Sequence, residues 1–316
     1  MGFVEEKIKE GKAFGKLVFP RTLHPTHTCE KGATHLVEAI KANGEWLREQ
    51  VRSHGAILFR GFEMWSPEEF RSVVEAFGWE NMDYMGATTR VKVADRVYTA
   101  NEAPLNQLIN FHHEMALMKD FPSKIFFFCS EPPPEGGETS IVLSHVVVEK
   151  MEEAMPEFVS KLENVGAVLR LKTAKENSSE KVVSKTWQWL LQTEDKVEAR
   201  RRAQLKVGCS SLEFLDDGTA EFVYGPLNPI RTYEGKRAWF YPILGYTNNP
   251  EDIDVHFGDG TPLPVGALEI YRKILDANSV DLQWQKGDVL VVDNLSVQHA
   301  RRPGKPPRVI LVSICK

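Results

Sequence analysis

Two histidines and a glutamate stand side by side in NFHHEMALMKD, residues 110–120, in a segment that is otherwise largely apolar. Side chains of an extended chain alternate between two faces, so His112 and Glu114 are expected to point one way and His113 the other. One imidazole and one carboxylate would then aim at a common point, as metal ligands do. A lone His-x-Glu pair is usually a surface pair, so a metal site needs a third ligand.

The best candidate for the third ligand is His299, in GDVLVVDNLSVQHARRPG, residues 287–304, beside a strongly β-prone run. Two histidines and one carboxylate on one face of a metal leave the opposite positions open, an arrangement that non-haem Fe(II) oxygenases use for a cosubstrate and O₂. His113 is predicted to be structural or to form a polar wall of the pocket. Asn294 is predicted to turn the chain or to orient the histidine.

An arginine and a threonine have the chemistry to bind a dicarboxylate near that metal. Arg308, in PPRVIL, is predicted on the last strand, and an arginine fork binds a carboxylate bidentately without losing its charge. Thr139 follows a double glycine in GGETSIV and offers a hydroxyl to the same carboxylate, unless it is only a strand residue. Arg301 and Arg302 are predicted to lie in an exposed turn, ARRPG.

Four motifs together resemble a known family. FHHEM, EGGETSIVLSH, GDVLVVDNLSVQHARRP and PPRVILVSIC are similar to those of the taurine dioxygenase/TfdA-like superfamily of Fe(II)- and 2-oxoglutarate-dependent dioxygenases, most closely its clavaminate synthase-like branch. The likeness runs from GAILFRGF, residues 55–62, to the C-terminus. It implies that His112, Glu114 and His299 hold iron, and that Thr139 and Arg308 hold the 5-carboxylate of 2-oxoglutarate.

The resemblance also implies a fold and a reaction. The implied fold is mainly β with flanking helices, built on a double-stranded β-helix, or jelly roll. The implied reaction is the oxidation, in the simplest case hydroxylation, of a small-molecule substrate with O₂, which releases succinate and CO₂. Glu114 stands where taurine-type members have Asp, and Val312 stands where they have a second arginine for a sulfonate. A sulfonate substrate is therefore not expected.

Two functions of other classes are compatible with the same residues. A zinc-dependent hydrolase could use His112, Glu114 and His299 to lower the pKa of a bound water. Such an enzyme has no use for a buried dicarboxylate clamp, so Arg308 and Thr139 argue against it. A non-catalytic jelly-roll binding protein is the other alternative, and an intact set of metal ligands argues against that.

The elements that must position these residues form a single predicted domain, residues 1–316. Residues 34–52 have helical periodicity, residues 55–62 read as a strand, and Ser66 begins a helix with a capping box. This helical part, about 1–80, precedes a jelly-roll core, about 85–316, made of short β runs with helices at 145–164 and 263–277 outside. A lid or substrate-wall insertion is predicted at about 170–250. Its polar part, 170–220, has a long plain loop as the alternative.

Composition limits the partners and the compartment. The 316 residues are 42% hydrophobic and 26% charged, with a net charge of −5, which argues against nucleic-acid and anionic-membrane partners. Four scattered cysteines predict reduced thiols and a cytoplasmic location. No transmembrane helix or signal peptide is predicted.

Several other residues carry weaker predictions. Asn101 either lines the substrate site or is an ordinary loop residue. LHPTHTC has a zinc-like spacing of His24, His27 and Cys29, but one such cluster cannot complete four ligands. Trp187 and Trp239 are predicted to pack in the core or under the lid.

Overall fold

The computed structural model describes residues 2–27, 31–84, 90–100, 102–178, 180–247 and 253–316. Across these ranges the chain is mainly β, with helices packed against the sheets. The strands of the largest sheet are β1 (Phe3–Glu5), β4 (Arg21–Pro25), β5 (Ala56–Phe59), β6 (Lys92–Ala94), β7 (Val97–Thr99), β9 (Lys124–Glu131), β18 (Val289–Asp293) and β20 (Val309–Cys315). Their order across the sheet is β1-β4-β5-β18-β9-β20-β7-β6, and β4 and β5 pair in parallel whereas the other neighbours are antiparallel.

A second, antiparallel sheet faces the first. Its strands are β8 (Ile109–His112), β10 (Thr139–Leu143), β17 (Val280–Leu282) and β19 (Val297–Arg301), in the order β17-β10-β19-β8. Phe127 and Ile310 of the large sheet share one apolar core with Ile141 of the second sheet. Because strand residues alternate between faces, this shared core means that the two sheets pack face to face. The second sheet carries both His112 and His299.

Helices cover the outer face of the large sheet. They are α1 (Ala33–Ala42), α2 (Gly44–His54) and α3 (Pro67–Ala76), and a hairpin of β2 (Lys12–Phe14) and β3 (Leu17–Phe19) lies nearby. The predicted start of α3 is confirmed. Ser66 Oγ accepts from the Glu69 backbone N–H at 3.2 Å, and the Glu69 carboxylate accepts from the Ser66 backbone N–H at 3.1 Å. Each bond satisfies a donor that the helix itself leaves unpaired.

Further helices and strands pack near the second sheet. The helices are α4 (Ser144–Ala154), α5 (Pro156–Val165), α6 (Trp187–Leu191), α7 (Lys196–Arg202) and α8 (Val265–Asn278), with a π-helical turn at Ala203–Val207. A third sheet is formed by β11 (Ala167–Lys172), β12 (Ser211–Phe214), β13 (Ala220–Leu227) and β16 (Ile253–Phe257), in the order β12-β13-β11-β16. A hairpin is formed by β14 (Ile230–Tyr233) and β15 (Lys236–Trp239). Ala300 of the second sheet shares a core with these elements.

The structure bears on the predicted division of the chain in two places. The first 80 residues contribute β1, β4 and β5 to the large sheet, so this part is not only helical. The plain-loop alternative for residues 170–220 is wrong within the described ranges, because strands, two short helices and the π-helical turn lie there. The reason is visible in β11, whose sequence AVLRLK buries every second side chain against its neighbours.

The described cysteines and helices bear on the predictions made from composition. Cys129, Cys209 and Cys315 are buried free thiols, and burial raises the pKa of Cys129 to about 12 and that of Cys209 to about 11. Cys29 lies outside the described residues. In the part of the chain that the structure describes, no helix combines the length and apolarity needed to cross a membrane.

Candidate metal centre

His112, Glu114 and His299 meet at one point. His112 and His299 are direct partners across the β8–β19 pairing, and their ring centroids lie 4.4 Å apart. The Glu114 Oε2 atom lies 3.5 Å from His299 Nε2. One ligand atom from each residue lies within 4.8 Å of the others, and this is the only such group of three or more His, Cys, Asp or Glu residues among those described. The sequence prediction that these three side chains converge is therefore confirmed.

The backbone that positions these side chains differs from the prediction, which placed His112 and Glu114 on one extended segment. β8 ends at His112, and the next residues form a turn in which Met115 has a φ of 56°. Glu114 is therefore not on the strand, although His112 and Glu114 point to one side and His113 to the other, as predicted. Asn294 holds the turn, because its Oδ1 accepts from the Glu114 N–H at 2.7 Å and its Nδ2 donates to the Glu114 carbonyl at 3.1 Å.

Asn294 lies in the turn between β18 and β19, as one alternative of the prediction had it, and its side chain orients Glu114 rather than His299, which corrects the other alternative. Its Nδ2 also donates to the Pro122 carbonyl at 2.7 Å, and the residue is fully buried. Three backbone groups, the Glu114 N–H, the Glu114 carbonyl and the Pro122 carbonyl, therefore have the Asn294 side chain as a hydrogen-bond partner.

We expect Asn294→Ala to lower the free energy of unfolding by about 2 to 4 kcal/mol, since each buried group left unpaired costs roughly 1 to 3 kcal/mol. Metal affinity should fall as well, because Glu114 loses the bonds that fix its backbone. Chemical denaturation and metal titration check the two effects. Asn278→Ala is the matched control, since Asn278 Nδ2 donates only one described bond, to Ile274 in its own helix. A similar loss of metal affinity in both variants would contradict the role given to Asn294.

His113 is structural, which confirms the prediction. Its side chain is fully buried, with Nδ1 2.5 Å from the Asn294 carbonyl and Nε2 3.1 Å from the Trp239 carbonyl. The Ser144 hydroxyl lies 2.8 Å from the same Nε2. Burial lowers the pKa of His113 to about 4. The His113 ring therefore connects the turn that follows His112 to the β18–β19 connection, and it does not face the candidate metal site.

Two of the candidate ligands, His112 and Glu114, have the protonation states that a metal requires. Burial lowers the pKa of His112 to about 3, and His112 Nδ1 is 2.7 Å from the Asn110 carbonyl, which fixes the ring with Nε2 free to bind. Burial by itself raises the pKa of the Glu114 carboxyl, but Arg90 and then His299 outweigh it and hold that pKa well below its usual range. A neutral imidazole and an ionised carboxylate are therefore ready at neutral pH.

Arg308 and Thr139 also come together. Arg308 Nε donates to the Gly137 carbonyl at 2.7 Å, and its NH2 group donates to Thr139 Oγ1 at 3.2 Å. Gly137 has a φ of +67°, and a Cβ there would lie 3.1 Å from Arg308 Cδ, so this glycine lets the arginine approach. Burial, and secondarily Arg301, lower the pKa of Arg308 to about 9. Arg308 itself precedes β20 by one residue, whereas it was predicted on the strand.

The prediction for Arg301 is wrong. Arg301 is the last residue of β19, is 5% exposed and lines the same cavity as the metal ligands. It donates to the carbonyls of Ala103 at 2.9 Å, Pro104 at 2.8 Å and Gln107 at 3.1 Å. Strand β19 continues past His299, and residues two apart share a face, so Arg301 follows His299 inward. Arg302 faces the other way and pairs with Asp276 and Asp281 on the surface.

The cavity above the ligands has a volume of about 220 Å³ and a mainly apolar lining. Part of this lining comes from the region predicted as a substrate wall, including Leu171, Val183, Leu191, Val207 and Phe222. The three candidate ligands therefore line a small, largely apolar chamber.

Two residues that line the cavity, Arg90 and Tyr246, were not predicted from the sequence. Arg90 NH2 lies 3.0 Å from Glu114 Oε2, and its guanidinium carbon lies 4.1 Å from the centroid of the Tyr84 ring. Tyr246 packs edge-on to His112, with centroids 5.4 Å apart, and burial raises its pKa above the ordinary value. Neither residue stands in a motif, and their approach depends on how distant segments meet, so no local pattern could have indicated them.

The remaining predictions concern residues away from the ligands. Asn101 lies outside the described residues, as does Cys29 of the zinc-like cluster, while His24 belongs to β4 of the large sheet. Trp187 and Trp239 are buried, as predicted, and Trp239 packs against Tyr271.

Sequence comparisons identify relatives over almost the whole chain. Residues 26–221 and 233–314 match the model of the taurine catabolism dioxygenase TauD, TfdA family. The chain is 39% identical over 327 residues to a clavaminate synthase-like protein of Arabidopsis thaliana, an alignment that covers 99% of this chain and 98% of the relative.

Several solved structures have a similar fold. PvcB of Pseudomonas aeruginosa is 16% identical, with a TM-score of 0.55, and the match covers 93% of this chain and 85% of PvcB. Another structure of PvcB describes it as an Fe, alpha-ketoglutarate dependent oxygenase. A taurine dioxygenase of Burkholderia xenovorans is 13% identical, with a TM-score of 0.55, over 100% of this chain and 89% of that one. At these identities the likeness concerns the fold.

Proposed function

The chain belongs to the TauD, TfdA dioxygenase family, and from that premise we propose that it is an Fe(II)- and 2-oxoglutarate-dependent dioxygenase that hydroxylates a small-molecule substrate and releases succinate and CO₂. The observation that carries the proposal is one cavity lined by His112, Glu114 and His299 together with Thr139 and Arg308. Neither a metal site alone nor an arginine alone would indicate this chemistry.

The donor set fits Fe(II). Two imidazoles and one carboxylate form the ligand set of non-haem Fe(II) oxygenases, and the three ligand atoms lie close enough to share one ion. In our proposal His112, Glu114 and His299 hold the metal, and Asn294 keeps Glu114 in position. The Arg90 cation stabilises the ionised form of Glu114 and so keeps the carboxylate ready to bind.

The second part of the cavity fits a dicarboxylate. Arg308 is nearly buried, and in our proposal its guanidinium binds the 5-carboxylate of 2-oxoglutarate by charge-assisted hydrogen bonds. Thr139 Oγ1 accepts from Trp284 Nε1 at 3.1 Å and from Arg308. Because both of these neighbours donate to the oxygen, the Thr139 hydroxyl keeps its own proton to donate to the cosubstrate.

When bound, Fe(II) with 2-oxoglutarate and O₂ supplies the oxidation of a substrate C–H bond, coupled to decarboxylation of the cosubstrate. The protein contributes orientation and the exclusion of water. Leu171, Val183 and Phe222 form an apolar wall that holds the substrate body against the ligands.

Two further predictions accompany the proposal. We infer that the two facing sheets form a double-stranded β-helix, which the likeness to taurine dioxygenase supports. We also infer a substrate without a sulfonate, because a buried valine, Val312, stands where taurine-type members have a second arginine, and it is not among the described residues that line the cavity. A cytoplasmic location and the absence of nucleic-acid and membrane partners stay predictions from composition.

Anaerobic titration tests the proposal. Fe(II) and 2-oxoglutarate added to the metal-free protein should produce the weak visible charge-transfer band of a chelated 2-oxoacid, and calorimetry should detect binding of 2-oxoglutarate. Zn(II) is the matched control, since it binds to the same ligands but has no such band. If neither band nor heat appears with Fe(II), the proposal fails, and hydrolysis with Zn(II) becomes the function to test.

A further inference from the structure

The cavity carries more positive charge than the proposed cosubstrate explains. Among its described lining residues, five are cationic and one, Glu114, is a carboxylate; the cations are Arg90, Arg202, Lys206, Arg301 and Arg308. Fe(II) and 2-oxoglutarate carry two charges of opposite sign, so together they leave this excess unchanged. A cavity of one sign with apolar walls concentrates ions of the other sign.

Most of these cations already have partners. Arg308 is assigned to 2-oxoglutarate, and Arg301 donates to three backbone carbonyls. Arg202 pairs with Glu198 at 2.6 Å, and Lys206 is exposed to solvent. Arg90 is the cation that remains beside the metal ligands.

Arg90 has unused binding capacity. Its side chain is 8% exposed, NH2 contacts Glu114, and the guanidinium lies over Tyr84. Its Nε atom is buried and has no hydrogen-bond partner among the described residues. A buried donor without a partner costs free energy, so an acceptor supplied by a ligand in the cavity would stabilise this atom.

A bound metal would increase the need of Arg90 for a hydrogen-bond acceptor. Glu114 is the described acid that compensates Arg90, and a metal held by Glu114 shares the same negative charge. Arg90 is then less well compensated, beside the place where a substrate must lie to react. An anionic group on the substrate would restore the balance and supply the missing acceptor.

We propose that Arg90 is a specificity-determining residue that binds a carboxylate of the prime substrate, whose remaining body is apolar and packs against the wall formed by Leu171, Val183 and Phe222. This inference rests on the proposed function for what happens to the substrate afterwards. The anchoring of the carboxylate by Arg90 is independent of turnover, and a binding experiment measures it directly.

The test compares matched probes that differ only in charge. The probes are 3-phenylpropanoate and hexanoate, with 3-phenylpropanamide and hexanamide as their neutral counterparts. Calorimetry under anaerobic conditions measures binding to protein loaded with Fe(II) and 2-oxoglutarate. We expect wild-type protein to bind each carboxylate about tenfold to a hundredfold more tightly than its amide, because a charge-assisted hydrogen bond is stronger than one between neutral groups.

Two variants of Arg90 and one control complete the design. Arg90→Gln should abolish the preference for the carboxylates, and Arg90→Lys should retain part of it, since an ammonium keeps the charge without the planar fork. Lys206→Gln removes another cation of the lining, but an exposed one, and should keep the preference. Iron content is measured in each variant because Arg90 contacts Glu114.

The outcomes separate this inference from the proposed function. Equal binding of carboxylates and amides to wild-type protein, including no binding of either, overturns the assignment of Arg90. Equal loss of the preference in Arg90→Gln and Lys206→Gln overturns it as well. The same titrations with Fe(II) alone remain decisive if 2-oxoglutarate fails to bind, and that failure would count against the proposed function only.

Discussion

The His112→Ala variant is expected to lose Fe(II) binding and turnover together. The three candidate ligands leave the rest of the coordination sphere to cosubstrate and solvent, so removing one of three protein ligands leaves labile Fe(II) poorly held. His112 is also the ligand whose ring is fixed by the Asn110 carbonyl at 2.7 Å, and water would not replace that oriented donor. Metal analysis after anaerobic loading and desalting measures the effect. We expect less than a tenth of the wild-type iron content, which corresponds to a loss of about 1.4 kcal/mol or more in the free energy of metal binding.

The neighbouring His113→Ala variant is the control. His113 faces Asn294, Trp239 and Ser144 and not the metal ligands, so iron should stay bound. Its free energy of unfolding should fall by about 2 to 4 kcal/mol, because several buried polar groups lose their partner. The two variants thus separate a ligand from a structural histidine. Equal iron loss in folded samples of both would remove the reason for assigning His112 to the metal.

The site was predictable where its residues follow local rules. His299 lies on β19, which follows a strand whose apolar run VLVVD is plain in the sequence, and Gly137 marks the close approach of Arg308 to the start of β10. The same rules were available for Arg301, because strand alternation puts it on the face of His299. The prediction ended the strand before Arg301 and therefore placed this residue in an exposed turn.

Other features depend on contacts that no local pattern encodes. Arg90 reaches Glu114 across 24 positions of the chain, and Asn294 reaches Glu114 across 180. Such contacts are created when the sheets close on each other, and a lone arginine before a short edge strand has no distinguishing mark. In β11, by contrast, the alternation of AVLRLK was a readable strand signal at the start of a segment whose polarity had left a plain loop as the alternative.

We expect Arg308→Leu to raise the 2-oxoglutarate requirement by roughly one to two orders of magnitude while iron content stays near wild type. A charge-assisted bond to a carboxylate in a dry pocket contributes about 1.5 to 3 kcal/mol, and its loss leaves the cosubstrate charge without a partner. Arg308 does not belong to the group of metal-ligating side chains, so the metal should be unaffected. Calorimetry with Fe(II)-loaded protein and the dependence of turnover on 2-oxoglutarate both measure the change.

The controls for Arg308 follow from the positions of its neighbours. Arg308→Lys should recover only part of the affinity, because an ammonium lacks the planar fork. Arg302→Leu is the matched surface control, since the Arg302 side chain is 23% exposed and its acidic partners are about half exposed, where ion pairs contribute little. Arg301 cannot serve as a control, because it is buried in the same cavity and lies close enough to lower the pKa of Arg308. If Arg308→Leu keeps the wild-type requirement for 2-oxoglutarate and Arg301→Leu loses affinity instead, Arg301 is the residue that holds the 5-carboxylate.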